Sequence, residues 1–201
     1  MSFQYVFDNA QEISISKRKK VSQTVSRGGV VRATSLGGAN YEFVVTLPAG
    51  PKWSDNRSLI EQVEAMDRIT VGTVKINNPG MDYVIGYQGD LSNTSSISVS
   101  YSSGNTLTIN SGASLASGFK FRAGDYIQLG NASVYTIVED VPANSNTITV
   151  HRPVREDAGT FTLKVGTEVT FSIICVSLPN WTIFGYNQIR WNGDFVFAEA
   201  L

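Results

Sequence analysis

The sequence predicts a mainly β protein, a β-sandwich with one helix that is interrupted by a small β-barrel. Three observations carry this expectation. Apolar and polar residues alternate at period two along most of the chain, as in "EISISK" (12–17), where Ile13 and Ile15 alternate with serine. A helical period occurs only once at length. Charged residues make up just 16% of the chain, and Ser, Thr, Asn and Gly take their place, which suits short strands joined by polar turns.

In chain order, strands are expected at 12–17, 21–26, 29–35 and 39–48, separated by basic or glycine-rich turns. The period then changes in "SDNRSLIEQVEAMDR" (54–68), where Leu59, Ile60, Val63 and Met66 form one apolar helical stripe. Ser58 and Glu61 have capping-box spacing, and Ser54 or Asp55 offers a cap one turn earlier. Strands resume at 69–77 and, after the Asn78–Pro79–Gly80 turn, at 82–89. Residues 92–104 are poor in bulky apolar side chains and read as a hinge or edge. A second cluster of strands follows at 105–111, 125–130, 132–140 and 146–154, closed by "REDAGT" (155–160). Strand character returns at 168–178 and 194–201.

Within the second cluster, "FRAGDYIQLGNASVYTIVED" (121–140) reads as a hairpin. Ala123–Gly124–Asp125 makes a tight turn, Ile127 and Leu129 point opposite to Tyr126 and Gln128, and Gly130–Asn131 reverses the chain. Residues 93–166 are therefore expected to form an inserted barrel of about five strands, which hides its own edges. The last segment is too short to bury a core alone. It is expected to complete a discontinuous sandwich made of residues 1–92 and 167–201.

Chemistry is sparse. Cys175 is the only cysteine and lies in the apolar run "FSIICVSL", where it reads as a small buried hydrophobe. His151 is the only histidine and reads as a strand-end residue with no nucleophile motif beside it. No zinc spacing, phosphate loop or dinucleotide fingerprint occurs, so no metal, cofactor or catalytic residue is expected. Acidic residues at strand ends, Asp82, Asp90, Asp125, Glu139, Asp140, Glu156, Asp157 and Asp194, leave an acid/base carboxylate pair as the one enzymatic alternative. No signal-peptide pattern or long apolar run is visible, and folding in a reducing cytoplasm is expected.

The formal charge of −1 gives no net attraction to a polyanion. One basic cluster stands out, Lys17, Arg18, Lys19 and Lys20, followed by Arg27 and Arg32. Trp53, Trp181 and Trp191 read as core or interface residues, or as sugar-stacking platforms.

The order of elements, the stretch "FRAGDYIQLGNASVYTIVEDVPANSNTITVHRPV" ending at Pro153–Val154, and the return strand together resemble the distal tail proteins of tailed bacteriophages, specifically those of the T5 phage type. The resemblance implies a tail-tube-like sandwich interrupted by an oligonucleotide/oligosaccharide-binding-like (OB-like) barrel. It further implies a ring, of six copies, that joins the tail tube to the baseplate hub or tail tip and lets phage DNA pass. It carries over no catalytic residue. On this reading the protein is a virion component assembled in the host cytoplasm, and Lys17, Arg18, Lys19 and Lys20 lie at a contact between subunits or rings. Alternatives are a tube or baseplate adaptor protein, or a carbohydrate-binding module in which Phe121, Tyr126 and Tyr135 of the barrel stack on glycan or dock a partner.

Overall fold

The computed structural model describes residues 3–17, 19–65 and 69–200. The protein is mainly β, with several sheets and a single long helix. A short helix α1 (Gln4–Asp8) leads into β1 (Glu12–Ser16), followed by β2 (Lys19–Val25), β3 (Val31–Ala39) and β4 (Glu42–Thr46). Helix α2 (Trp53–Glu64) and β5 (Gly72–Val74) come next, then β6 (Ser98–Tyr101), β7 (Thr106–Ser111), β8 (Phe119–Phe121), β9 (Tyr126–Leu129) and β10 (Val134–Thr136). The chain ends through β11 (Val141–Pro142), β12 (Thr147–Thr149), β13 (Gly159–Val165), β14 (Phe171–Ser177), β15 (Asn180–Phe184), β16 (Gln188–Asn192) and β17 (Phe195–Glu199).

Two large sheets organise these elements. The first has the order β1-β4-β17-β14-β5. Its two middle strands after β4 come from the C-terminal segment, so the chain leaves this sheet after β5 and returns to it at β14. One face is buried and the other is not, as strict alternation demands. Phe43, Val45, Phe171, Ile173, Phe195 and Phe197 point inward, whereas Val44, Ile174, Val196 and Ala198 are only partly covered. Helix α1 packs its rings on the inner face, with Phe3 edge-on to Phe197 at 5.0 Å and Phe7 to Phe43 at 5.9 Å. Ile60 and Val63 of α2 and Trp191 of β16 join the same core.

The second sheet has the order β10-β9-β13-β6-β7-β12 and curls as a half-barrel around Val99, Leu107, Ile127, Leu129, Ile148 and Leu163. Its two edges meet at one point. Ile137 bridges Val150, Val138 N–H donates to Thr149 O at 2.9 Å, and His151 N–H donates to Thr136 O at 3.0 Å. This contact closes off edges that would otherwise present unpaired backbone groups.

Several expectations are corrected. Residues 82–84 form a short 3-10 turn and not a strand. Asn78 causes this: its carbonyl accepts the N–H groups of Met81 and Asp82, and its side chain accepts that of Gly80, which folds the chain back on itself. The segment 92–104 holds β6, an interior strand of the second sheet, because Ile97 and Val99 are fully buried and serine fills the positions between. Neither expected cap serves α2. The helix starts at Trp53, before Ser54, since Trp53 N–H is held by Asn187 O at 2.7 Å and Lys52 takes the N-cap position without a side-chain bond. Met66 lies outside the described residues. Strand β13 and the β15–β16 hairpin were not anticipated as strands at all.

Candidate functional site: a buried junction and a basic ribbon

The hairpin of β9 and β10 is buried on both faces. Ile127, Leu129 and Tyr135 belong to the half-barrel core, while Tyr126 and Val134 belong to the core of the first sheet. The register Val134↔Gln128, Tyr135↔Ile127 and Thr136↔Tyr126 produces this division, since alternate residues face opposite sides. Gln128 uses its amide as a strand would. Its Nε2 donates to Thr170 O at 2.9 Å and its Oε1 accepts Thr170 N–H at 3.0 Å, which ties the hairpin to the segment leading into β14.

Phe121, Tyr126 and Tyr135, the expected stacking or docking aromatics, are all buried: 0%, 8% and 0% exposed. None presents a ring face for a sugar to cover. Tyr126 lies 6.0 Å from the Tyr41 ring, and the Tyr135 hydroxyl donates to Glu156 at 2.5 Å. Burial, with the Glu156 carboxylate adding to it, pushes the Tyr135 phenol up to about 12.

A charged network locks this hairpin to the first sheet. Arg152 is 1% exposed, and its guanidinium meets both oxygens of Glu199, Nη1 to Oε2 at 2.6 Å and Nη2 to Oε1 at 2.5 Å. The same two nitrogens donate to Ala39 O at 2.8 Å and Val134 O at 2.9 Å. Glu199 also accepts Tyr41 N–H at 3.1 Å. Burial pulls the arginine downward, but the hydrogen bonds and charge of Glu199 outweigh it and raise the guanidinium further. Tyr41 completes the joint through its hydroxyl, 2.5 Å from Thr136 Oγ1, and burial drives its phenol far above the ordinary range.

His151 sits beside this joint. Its Nδ1 accepts Thr136 N–H at 3.0 Å, which leaves the proton of the neutral ring on Nε2, a buried atom with no hydrogen-bond partner. Burial, then the charges of Arg152 and Lys17, hold this imidazole down at about 4. The strand-end reading of His151 thus places it correctly but misses that side chain and backbone both grip Thr136.

Four of the strand-end carboxylates accept backbone amides. Asp125 accepts the N–H groups of Gln88 and Arg122, Asp90 that of Phe119, Asp140 that of Ala123, and Glu156 that of Ser133. Among the described residues, no group of three or more His, Cys, Asp or Glu could hold a metal ion.

The second feature is electrostatic. Strands β2 and β3 pair only with each other as a two-stranded sheet, and every residue from 21 to 34 is exposed. Six of the sixteen basic residues and none of the seventeen acidic ones fall within 17–39, so this ribbon carries +6 and the rest of the chain −7. Lys17 lies at its root with Nζ 6.0 Å from the Tyr126 ring centre, and burial lowers its ammonium. Arg18 is outside the described residues. Lys19 and Lys20 begin β2, and their side chains also lie outside the description.

Sequence reasoning passed over Arg152, Glu199 and Tyr41. A signal existed for one of them: the alternation Phe195, Phe197, Glu199 sends a carboxylate to the buried face and demands a cation there. No helix among the described residues is long and apolar enough to cross a membrane. No protein-family model matches the chain, and no curated protein sequence matches it either.

Proposed function

We propose that this chain is a non-enzymatic structural protein of a bacteriophage tail tip or baseplate. Its copies form a ring, with six as the expected number, that joins the tail tube to the distal hub and leaves a passage for DNA. On this reading the first sheet with its helices is the tail-tube-like unit, and the half-barrel is an OB-like module inserted into it. The protein's partners are further copies of itself, the tube protein and the hub or tip proteins, and its place is the virion.

One observation carries the reading. The first sheet is assembled from two distant stretches of chain, and a complete second β unit with its own core is bolted into the interruption by Arg152 and Glu199. Such a frame holds a rigid module at a fixed orientation, which a ring component needs and a diffusing binding module does not. The exposed ribbon supplies an unsatisfied surface for association. Burial of Phe121, Tyr126 and Tyr135 weighs against the carbohydrate-binding alternative. The backbone duties of Asp90, Asp125, Asp140 and Glu156 weigh against hydrolysis by these carboxylates.

Quantitative mass spectrometry of purified particles tests the proposal. About six copies per particle is the expected result for a closed ring. Copies in the many tens would make the chain a tube protein, and its absence from particles would overturn the reading.

A further inference from the structure

We infer that the β2–β3 ribbon of one copy docks, apolar face down, on the open face of the first sheet of a second copy. This names the contact within the ring proposed above and rests on that reading only for the number of copies.

The ribbon is two-faced. Its register pairs Gln23 with Ala33 and Val25 with Val31, which places them with Val21 on one side. Ser22, Thr24, Arg32 and Thr34 occupy the other. Val21, Val25 and Val31 are 48%, 68% and 60% exposed. An isolated two-stranded ribbon is marginal in water, and an amphipathic one needs cover for its apolar side. Among the described residues, its own chain leaves these valines exposed.

The open face of the first sheet has the complementary chemistry. Val44 and Val196 lie opposite each other in register there, beside Ile174 and the 55%-exposed Val176. Glu12 and Glu42 stand at its β1 side and Asp194 at its rim, and β1, β4, β14 and β17 contain no lysine or arginine. Valines therefore meet valines and isoleucine, while Arg27 at the turn and Lys17 at the root flank the contact near carboxylates, and Arg32 faces away from it. The split of +6 against −7 makes the body of another copy the fitting partner. Because the two surfaces differ, the contact is head-to-tail and repeats from copy to copy until it closes.

The test uses the full chain in size-exclusion chromatography with light scattering, at low and high salt. The unaltered protein is expected to self-associate, less so at high salt. Reversing the ribbon's flanking charges (Lys17→Glu with Arg27→Glu) or the sheet face (Glu12→Lys with Glu42→Lys) should each give monomer. Mixing the two reversed proteins should restore heterotypic association. Urea unfolding of each variant, expected to match the parent, separates lost docking from lost folding. A parent that is monomeric at every concentration overturns the docking, as does an assembly unaffected by either reversal. In the second case the ring itself survives with a different contact. Particle copy number decides the tail reading independently of both.

Discussion

Arg152 and Glu199 face each other across the joint between the two sheets, fork to fork, with both oxygens engaged and neither side chain more than 7% exposed. Removing one member of such a pair leaves a charge in a place water cannot reach. Glu199→Gln is expected to cost about 3–5 kcal/mol of stability. Arg152→Lys should also destabilise, since one ammonium cannot serve Glu199, Ala39 O and Val134 O together. Urea unfolding of both single variants and the double should give losses that do not add; strict additivity would mean that the pair is not coupled.

Stability should fall in mild acid through His151. The folded protein holds the ring at about 4 against an ordinary value of 6.5. The folded state thus favours the neutral form, and this contribution is complete above pH 6.5 and is lost as pH falls from there towards 4. Protonation would add a cation beside Arg152 and Lys17 and break the bond from Thr136 N–H. In His151→Asn, where Oδ1 replaces Nδ1 as acceptor, the urea midpoint should change less across this window. An unchanged slope would assign the dependence to another group.

Trp53 and Trp181 stack with ring centres 4.8 Å apart and planes 22° from parallel, and Trp181 Nε1 donates to Glu64 at the far end of α2. The β15–β16 hairpin therefore clasps the helix at both ends. Trp181→Ala should cost about 1–3 kcal/mol. Trp181→Phe keeps a ring and loses only the hydrogen bond, so it should cost about 1 kcal/mol. Thermal unfolding followed by far-UV circular dichroism measures both, and equal losses would deny the stack any role.

Gly166 stands where the chain leaves the half-barrel, at φ +60°, and a Cβ there would meet Tyr87 N at 2.9 Å. Gly130 has a similar φ of +58° but open space around it. Gly166→Ala should therefore destabilise by about 1–3 kcal/mol, and Gly130→Asn by much less, because asparagine tolerates the left-handed region. Urea midpoints of the two variants side by side would expose a wrong ranking.

What the sequence made legible was local and periodic. Ile13 and Ile15, the stripe through Ile60 and Val63, and the two faces of 126–136 follow from spacing alone, and all lie where that spacing puts them. The failures have a common cause in distance along the chain. Strand β13 carries Phe161, Leu163 and Val165 in plain alternation, yet its acidic and glycine-containing approach reads as a terminator. Strand β6 offers mostly serine and gains its place from Ile97 and Val99 packing against residues far away. Arg152 and Glu199 are 47 residues apart, and no short window contains both. Of the three aromatics offered as stacking or docking candidates, Phe121 and Tyr135 fill the half-barrel's own core and Tyr126 the first core, and period two cannot reveal that a second core waits on the far side of β9.

The two ends of the half-barrel lie together, with Gly166 against the backbone of residues 85–87. Viewed as a cassette, the unit has adjacent terminals and looks easy to exchange for another. The junction forbids a free exchange. A replacement without an arginine at the place of Arg152 would strand the Glu199 carboxylate, and one without counterparts of Tyr126 and Val134 would leave the first core open on one side. Any graft into this frame must bring its own plug: two apolar side chains and one guanidinium, spaced as β9, β10 and the loop after β12 now space them.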